Sequence, residues 1–191
     1  VWGGLKEPLE PGQIAFTLDL ARGLRQQNFW ITEQIMGAQG HDIIGYLPRP
    51  EQAKMWGYQA FAHGCRGMLW FRWRGMTRGA EQYCFGIIDH DNQARRKYDE
   101  VKRTIAELSD YGDVFDAPIE AKVAVLYDCD NVWSWRAQPQ SIMFDFVNEA
   151  MRLYRPFYRL NLAIDAIPAG RDLSPYRVVA LPVMQIIDDV L

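Results

Sequence analysis

The sequence has no hydrophobic run long enough to cross a membrane. A transmembrane helix needs about 20 consecutive apolar residues, and every apolar stretch in this chain of 191 residues is interrupted well before that length. The chain also does not open on a basic segment followed by an apolar one, which is how a secretory signal peptide begins. We therefore expect no membrane partner.

Cysteine is scarce, and its spacing excludes two ways of stabilising a small domain. The three cysteines, Cys65, Cys84 and Cys129, lie far apart and form no CxxC pair. Because they cannot all pair with one another, neither a disulfide scaffold nor a structural zinc site is expected. Free thiols are typical of a reducing compartment, which predicts a cytoplasmic protein without a bound metal.

The sequence also lacks an excess of positive charge and a glycine motif for nucleotides. It has 21 Lys and Arg against 24 Asp and Glu, a net charge of −3. A dedicated nucleic-acid-binding protein usually carries a basic surface, so no nucleic-acid partner is expected. No GxGxxG follows the apolar run at 122–128, which argues against a dinucleotide-binding protein, and no cofactor is expected.

What is present is an alternation of helical and extended patterns, typical of an α/β fold with parallel strands. The patterns predict helices at 11–27, 50–63, 95–110 and within 142–160, and strands at 28–32, 66–73, 122–128, 162–168 and 177–182. Pro, Gly and acidic residues cluster at 111–120, where the helical periodicity stops. The sequence therefore predicts two domains, at 1–112 and at 113–191.

Two carboxylates follow predicted strands of the first domain. Glu33 comes directly after the strand at 28–32, and Glu81 lies in the loop after the strand at 66–73. In parallel α/β folds the chemistry gathers at the carboxyl ends of the strands. Paired carboxylates among aromatic residues are typical of glycoside hydrolysis, in which one attacks the sugar and the other donates a proton. The alternative is that both are solvated surface carboxylates.

The segment FRWR at 71–74 alternates arginine with aromatic residues at the end of a predicted strand. Burying a guanidinium group without a carboxylate partner is costly, so Arg72 or Arg74 is expected to pair with Glu33 or Glu81. Such a pair would hold Glu33 ionised, because a neighbouring cation lowers the pKa of a carboxyl group. Alternatively, it would serve only to orient one of the glutamates.

Four stretches of the chain together resemble a known family. They are FWITEQ at 29–34, a helix that ends in AHG at 48–64, the FRWR and GAEQY segments within 69–91, and KVAVLYDCDNVWSWRAQPQS at 122–141. In this order they resemble glycoside hydrolase family 42, the β-galactosidases of bacteria and archaea. The resemblance implies the C-terminal part of a (β/α)8 TIM barrel at 1–112. It also implies, at 113–191, the start of a Rossmann-like (flavodoxin-like) domain that mediates trimer formation, and hence a homotrimer.

The resemblance also implies roles for individual residues. Glu33 matches the catalytic nucleophile, Glu81 a galactose-binding glutamate, and Phe71 an aromatic residue that lines the sugar site. His41, eight residues after Glu33, takes the place of a tryptophan that usually contacts the substrate. The acid/base residue of the family is a glutamate that follows asparagine on the fourth barrel strand, which precedes the part that is matched here.

Other candidates carry less weight. Asn148 and Glu149 reproduce the Asn-Glu pair, but they lie in a predicted helix of the second domain, so we exclude them as the acid/base. Neither Cys84 nor Phe85 supplies the histidine that many family members place near this point to contact the sugar.

Two short clusters can be explained by local structure without a catalytic or metal-binding role. The acidic and histidine side chains at 89–91 are expected to form a surface turn rather than a metal site. Trp133 and Trp135 are expected in a loop, where they either pack locally or lie near the trimer interface.

These residues predict a retaining β-galactosidase that hydrolyses terminal β-D-galactosides through a galactosyl-enzyme intermediate on Glu33. The alternative is a non-catalytic sugar-binding or assembly module that keeps the glycosidase fold. A complete (β/α)8 barrel needs about 250 residues, and the chain starts at Val1 without an initiator methionine. We therefore expect it to be part of a longer protein and to be inactive alone.

Overall fold

The computed structural model describes residues 10–40 and 45–187, and it shows an α/β chain. Its strands are β1 (Phe29–Ile35), β2 (Cys65–Phe71), β3 (Val123–Leu126), β4 (Ile164–Ile167) and β5 (Val178–Ala180), and its helices are α1 (Pro11–Gly23), α2 (Gln52–Ala62), α3 (Arg96–Asp110), α4 (Gly112–Asp116), α5 (Cys129–Ala137) and α6 (Phe146–Arg159). In the part of the chain that the structure describes, no helix is long and apolar enough to span a membrane. The chain divides into two compact units.

The first unit contains residues 29–117, and its sheet consists of β1 and β2 paired in parallel. Helices α2 and α3 cover one face of this pair, which we call the covered face. Its core contains Met36, Ala53, Ile87, Ile88 and Val101, with Trp56, Trp70 and Tyr98 packed against them. The opposite, open face exposes Trp30 and Leu69. The close packing of Trp30 over the backbone of Gly67 shows why that position has no side chain.

The second unit is a three-stranded parallel sheet with helices packed against it. The strand order is β4-β3-β5, so the chain leaves the central strand, returns at one edge and then crosses to the other. Both β3 and β4 are buried along their whole length, as expected for strands covered on both faces. The main core joins the sheet to α1 and α6 through Ala15, Phe16, Val123, Val125, Ala150, Met151, Tyr154, Ile164 and Ala166.

Helix α1 does not lie in the unit to which the division predicted at residue 112 assigns it. Residues 11–28 pack in the second unit, although the sequence-based division placed them in the first domain. Apolar packing of Ala15 and Phe16 joins α1 to this unit, and so does a buried polar contact in which Arg22 of α1 binds the Asp165 side chain of β4 at 2.9 Å. Gly23 also lies so close to β4 that a Cβ atom there would be 2.0 Å from the carbonyl oxygen of Ala166. Contacts between residues so far apart in sequence are invisible to local patterns.

Two local predictions were also wrong. Trp133 and Trp135 lie in helix α5, not in a loop, because the side chain of Asp128 caps that helix by accepting a hydrogen bond from the Asn131 backbone N–H. Strand β1 continues to Ile35, three residues beyond the predicted end, so Glu33 lies within the strand rather than after it. The exclusion of Asn148 and Glu149 stands, since both lie in α6.

Candidate active site

Glu33 lies near the carboxyl end of β1, where the register of the sheet shifts. Residue 31 pairs with residue 68 and residue 34 pairs with residue 70, so two residues of β1 lie opposite one residue of β2. The two are Thr32 and Glu33, and both are exposed, whereas Ile31 and Gln34 on either side are buried. Bulges of this kind redirect side chains and are common beside active sites. The register shift therefore presents the Glu33 carboxylate to the open face, where a substrate could reach it.

The second predicted glutamate, Glu81, forms an ion pair with the end of β2. The Arg72 guanidinium donates a hydrogen bond of 2.9 Å to Glu81 Oε2. The same guanidinium lies 4.8 Å from the centre of the Phe71 ring, at a distance typical of a cation–π contact. The Glu81 side chain is 44% exposed, and that of Arg72 is 21% exposed. The structure thus brings three predicted site residues together as one polar and aromatic cluster.

Arg74 does not join this cluster. Its side chain is exposed, and the structure gives it no ion pair with another described residue, while its backbone bridges to Ile88. Arg72 therefore provides the carboxylate pair that was expected of one of the two arginines, and a supporting role of Arg74 stays a prediction. An exposed guanidinium is hydrated by water and does not need a carboxylate partner.

The loops that follow β1 and β2 are bonded to one another. The Phe85 backbone N–H donates to the carbonyl oxygen of Ala38 at 2.9 Å. Gly37 permits this approach, because a Cβ atom there would lie 2.3 Å from the Phe85 carbonyl oxygen. Within the second loop, Gly86 lies so close to the end of β2 that a Cβ atom there would be 2.2 Å from the Arg72 carbonyl oxygen. The two loops therefore pack against each other beside the carboxyl ends of the strands.

The structure describes only some of the positions at which a histidine was considered as a sugar contact. His41 lies outside the described residues. Cys84 is completely buried, so its thiol cannot replace a histidine that contacts a sugar. Beside it, the ring of Phe85 lies 5.3 Å from that of His90, and His90 Nε2 lies 2.7 Å from the carbonyl oxygen of Gln82. His90 is thus a histidine that the fold places next to this loop.

The cluster at 89–91 forms the predicted turn. Asp91 accepts hydrogen bonds from the Arg95 guanidinium and from the backbone N–H of Gln93, which lower the pKa of Asp91 to about 2. Asp89 accepts a hydrogen bond from the Lys97 ammonium at 2.5 Å. Among the residues that the structure describes, no three metal-ligating side chains come together. The acidic side chains therefore serve to fix the start of α3.

Sequence reasoning missed the buried amide of Gln34. Its side chain is 1% exposed. It points to the covered face, on the side of the sheet opposite to the preceding residue, Glu33. The only sequence signal was its position between a strand and a glycine-containing loop, which does not distinguish a buried amide from an exposed one.

The covered face also carries a groove of about 270 Å³ between β2, α3 and α4. Apolar side chains dominate its lining, among them Phe61, Met68, Trp70, Leu108 and Phe115. None of the predicted site residues lines this groove, so we do not assign it to the active site.

Two family models match the chain. Residues 4–111 match the model described as β-galactosidase of glycoside hydrolase family 42. Residues 121–191 match the model described as the β-galactosidase trimerisation domain. The junction between the matches lies at 112–120, close to the domain boundary that the sequence predicts.

Curated relatives and solved structures agree with these matches. β-Galactosidase BgaA of Clostridium cellulovorans is 32% identical over 177 residues, which are 92% of this chain and 27% of that protein. BgaA of Planococcus sp. strain SOS Orange is 34% identical over 92% of this chain and 26% of its own length. The crystal structure of β-galactosidase from Bacillus circulans sp. alkalophilus superposes with a TM-score of 0.91 at 34% identity, covering 98% of this chain and 28% of that one. The chain thus spans about a quarter of the length of the relatives it matches.

Proposed function

This chain belongs to the β-galactosidases of glycoside hydrolase family 42, and on that premise we propose that it carries the nucleophile and part of the sugar site of a retaining β-galactosidase. The substrate would be a terminal β-D-galactoside. The single observation that carries the proposal is the bulge in β1, which exposes Glu33 near the carboxyl end of a strand whose parallel neighbour, β2, ends at Phe71 in the cluster of Phe71, Arg72 and Glu81.

In the proposed reaction a Glu33 carboxylate oxygen attacks the anomeric carbon of the galactoside. The bond from that carbon to the aglycone oxygen breaks, the leaving oxygen takes a proton from the acid/base residue, and a galactosyl ester of Glu33 remains. Water then attacks the same carbon from the opposite face and gives its proton to the acid/base residue, which releases Glu33. The family resemblance assigns the acid/base to a barrel strand outside the matched segment, so we expect that residue on another part of the barrel.

The neighbouring cluster would hold the sugar. The ion pair with Arg72 fixes the Glu81 carboxylate, whose partial exposure leaves it able to accept hydrogen bonds from galactose hydroxyls. Phe71 supplies a flat apolar surface against which a pyranose ring can lie. Arg72 acts through Glu81 in this arrangement, which makes it a positioning residue. The contribution of His41 to galactose specificity stays a prediction.

Covalent trapping tests this function directly. A 2-deoxy-2-fluoro-β-galactoside with a dinitrophenolate leaving group needs no proton donor, because that anion leaves unprotonated. The fluorine slows the attack of water, so the galactosyl ester should accumulate. We expect the mass to rise by one fluorogalactosyl group on the peptide that contains Glu33, and free galactose should slow the labelling.

The same labelling experiment includes a control variant and distinguishes the enzyme from the non-catalytic alternative. Glu51 is an exposed carboxylate paired with Arg103, and the Glu51→Gln variant should be labelled like the unaltered protein, whereas Glu33→Gln should not be labelled. Labelling of a different carboxylate would refute the assignment of Glu33. Galactose binding by calorimetry without any labelling would instead favour the non-catalytic sugar-binding module.

The match of residues 121–191 to a trimerisation domain supports a homotrimer as the assembly. If the strands of this unit that follow residue 118 are numbered in chain order, the sheet order β4-β3-β5 becomes 2-1-3, the order in which a flavodoxin-like sheet begins. We therefore propose that this unit is Rossmann-like and that the first unit is part of a TIM barrel. The free state of all three cysteines supports the expected reducing, cytoplasmic compartment.

A turn between α5 and α6 offers a contact surface for this assembly. Ile142 and Met143 are 98% and 90% exposed, although both are apolar. The turn is not loose, because Phe144 packs against Trp135 of α5 with 4.2 Å between ring centres. Adjacent apolar side chains that are exposed to water can mark a protein contact, and a second copy of this chain is the partner that the family match favours.

Replacing both residues with aspartate should therefore dissociate the trimer. Each carboxylate would have to be buried without a partner in the interface, which is costly. Sedimentation of the Ile142→Asp/Met143→Asp variant should show monomers where the unaltered chain shows trimers. Leu160 is 69% exposed, and Leu160→Asp is the matched control that should leave the trimer intact. A variant that remains trimeric would remove this turn from the interface, and a monomeric unaltered chain would contradict the homotrimer.

A further inference from the structure

The covered face of the first unit contains polar atoms that the protein itself does not satisfy. The Gln34 side chain is 1% exposed, and neither its Oε1 nor its Nε2 has a hydrogen-bond partner among the described residues. The indole Nε1 of Trp70 is likewise buried without a partner in the described chain. Buried polar groups in native proteins are nearly always hydrogen-bonded to protein or to ordered water, so these three atoms need an explanation.

The sheet places these atoms side by side. Gln34 and Trp70 are register partners in the parallel pair of β1 and β2. Paired residues of neighbouring strands leave the sheet on the same face, so both side chains lie on the covered face. The group consists of two donor nitrogens and one acceptor oxygen with no net charge, and water can complement it because water both donates and accepts.

We infer that Gln34 and Trp70 form an internal hydration site on the covered face, and that this site keeps Glu33 on the open face. Water held there accepts a hydrogen bond from the Trp70 indole N–H and donates one to Gln34 Oε1. The Nε2 group of Gln34 donates to water of the same site. The effect on Glu33 rests on the proposed function, whereas the hydration site itself does not.

The link to Glu33 follows from the register. Without the bulge, β1 would advance one residue per residue of β2, and Glu33 would stand opposite Trp70 in place of Gln34. A carboxylate on the covered face would lose its hydration and could not reach a substrate. A carboxamide can be satisfied there by water at much lower cost, so a hydrated Gln34 favours the bulged register. Gln34 is therefore a positioning residue for the nucleophile.

The sign of a stability change tests the hydration site on this chain itself. If water satisfies the site, Gln34→Leu expels it and leaves the indole N–H unpaired, so the midpoint of urea unfolding should fall. If the site is dry, the same substitution removes two unsatisfied atoms and the midpoint should rise. With Trp70→Phe the two losses should be coupled, so that the double variant loses less stability than the sum of the two single variants. A rise in the midpoint, or strictly additive losses, would overturn the inference.

The indole proton provides a spectroscopic signature. In ¹⁵N-labelled chain, the Trp70 indole signal is identified by its disappearance in Trp70→Phe, and it should show a cross-peak to a long-lived water. Gln34→Leu should abolish that cross-peak and shift the signal. Gln39 is the matched control, since it is a buried glutamine whose Nε2 donates to the Gly37 and Phe85 carbonyl oxygens. Gln39→Leu should leave the Trp70 signal unchanged, and a Trp70 signal insensitive to Gln34→Leu would contradict a shared site.

The positioning role is read from kinetics. The protein to measure is a chimaera in which this chain replaces the matching segment of the Bacillus circulans sp. alkalophilus enzyme. In that chimaera, Gln34→Leu should lower kcat by on the order of 10²-fold, because misplacing a reacting group by about 1 Å has that effect. The KM should stay unchanged. An unchanged kcat would overturn the positioning role. A chimaera with no activity in its unaltered form would contradict the proposed function, whereas the hydration site would still stand or fall with the unfolding midpoint and the indole signal.

Discussion

Replacing Glu33 with glutamine is expected to reduce hydrolysis of an aryl β-galactoside by on the order of 10⁴-fold or more, since a carboxamide cannot form the galactosyl ester. The measurement is kcat in the chimaera with the Bacillus circulans sp. alkalophilus enzyme, whose structure superposes on this chain with a TM-score of 0.91. Gln is close to Glu in size, and Glu33 lies on an exposed face, so the unfolding midpoint should hardly move. Loss of activity would then report chemistry and not misfolding.

A smaller side chain sharpens the same test. Glu33→Ala leaves a gap where the nucleophile stood, and a small anion such as azide could enter it and attack the anomeric carbon from the same side. The product should be α-galactosyl azide, with the configuration inverted relative to the β-galactoside. Glu51→Gln is the matched change of charge in the same unit, and it should retain full activity. Wild-type turnover in Glu33→Gln, or formation of only the β-azide in Glu33→Ala, would contradict the role of Glu33 as nucleophile.

The placement of the site residues could be predicted only where it depends on local pattern. Strand and helix periodicity located β1, β2 and the loop that contains Glu81, and the carboxyl-end rule for parallel strands then favoured these positions. The bulge at Thr32 and Glu33 could not be predicted, because it depends on how two strands about 35 residues apart in sequence are aligned. Simple alternation would have placed Glu33 on the same face as the buried Ile31.

The sequence also could not predict which of the two arginines pairs with a carboxylate. FRWR contains two arginines at equivalent spacing, and pattern alone gives both the same environment. The structure separates them, because Arg72 is partly covered and pairs with Glu81 while Arg74 points to solvent. Solvent exposure at a strand end depends on the loops that fold back over it, and here those loops come from two different parts of the chain.

The packing of α1 in the second unit also depends on contacts that local sequence patterns do not reveal. These contacts centre on one buried cation. Arg22 donates to Asp19 Oδ1 at 2.7 Å, to Asp165 Oδ1 at 2.9 Å and to the carbonyl oxygen of Ile164 at 2.5 Å. Burial alone would lower the pKa of Arg22, but the charges of the two aspartates outweigh that effect and raise it. Tyr154 completes the network through a hydrogen bond of 2.5 Å from its hydroxyl group to Asp19 Oδ2. The cation therefore stays ionised and joins α1 to β4.

Replacing Arg22 with methionine should lower the free energy of unfolding of the second unit by about 3–5 kcal/mol, because it leaves two buried carboxylates without their cation. Methionine keeps the length of the aliphatic stem, so the loss reports charge rather than a cavity. Amide hydrogen exchange of Val123–Leu126 would assign the change to this unit. Arg152 on α6 is the matched control, since its side chain is 66% exposed and pairs with Glu149, and Arg152→Met should cost at most about 1 kcal/mol. Equal losses in the two variants would mean that the buried network contributes no more than a surface ion pair, and that apolar packing alone holds α1 in the second unit.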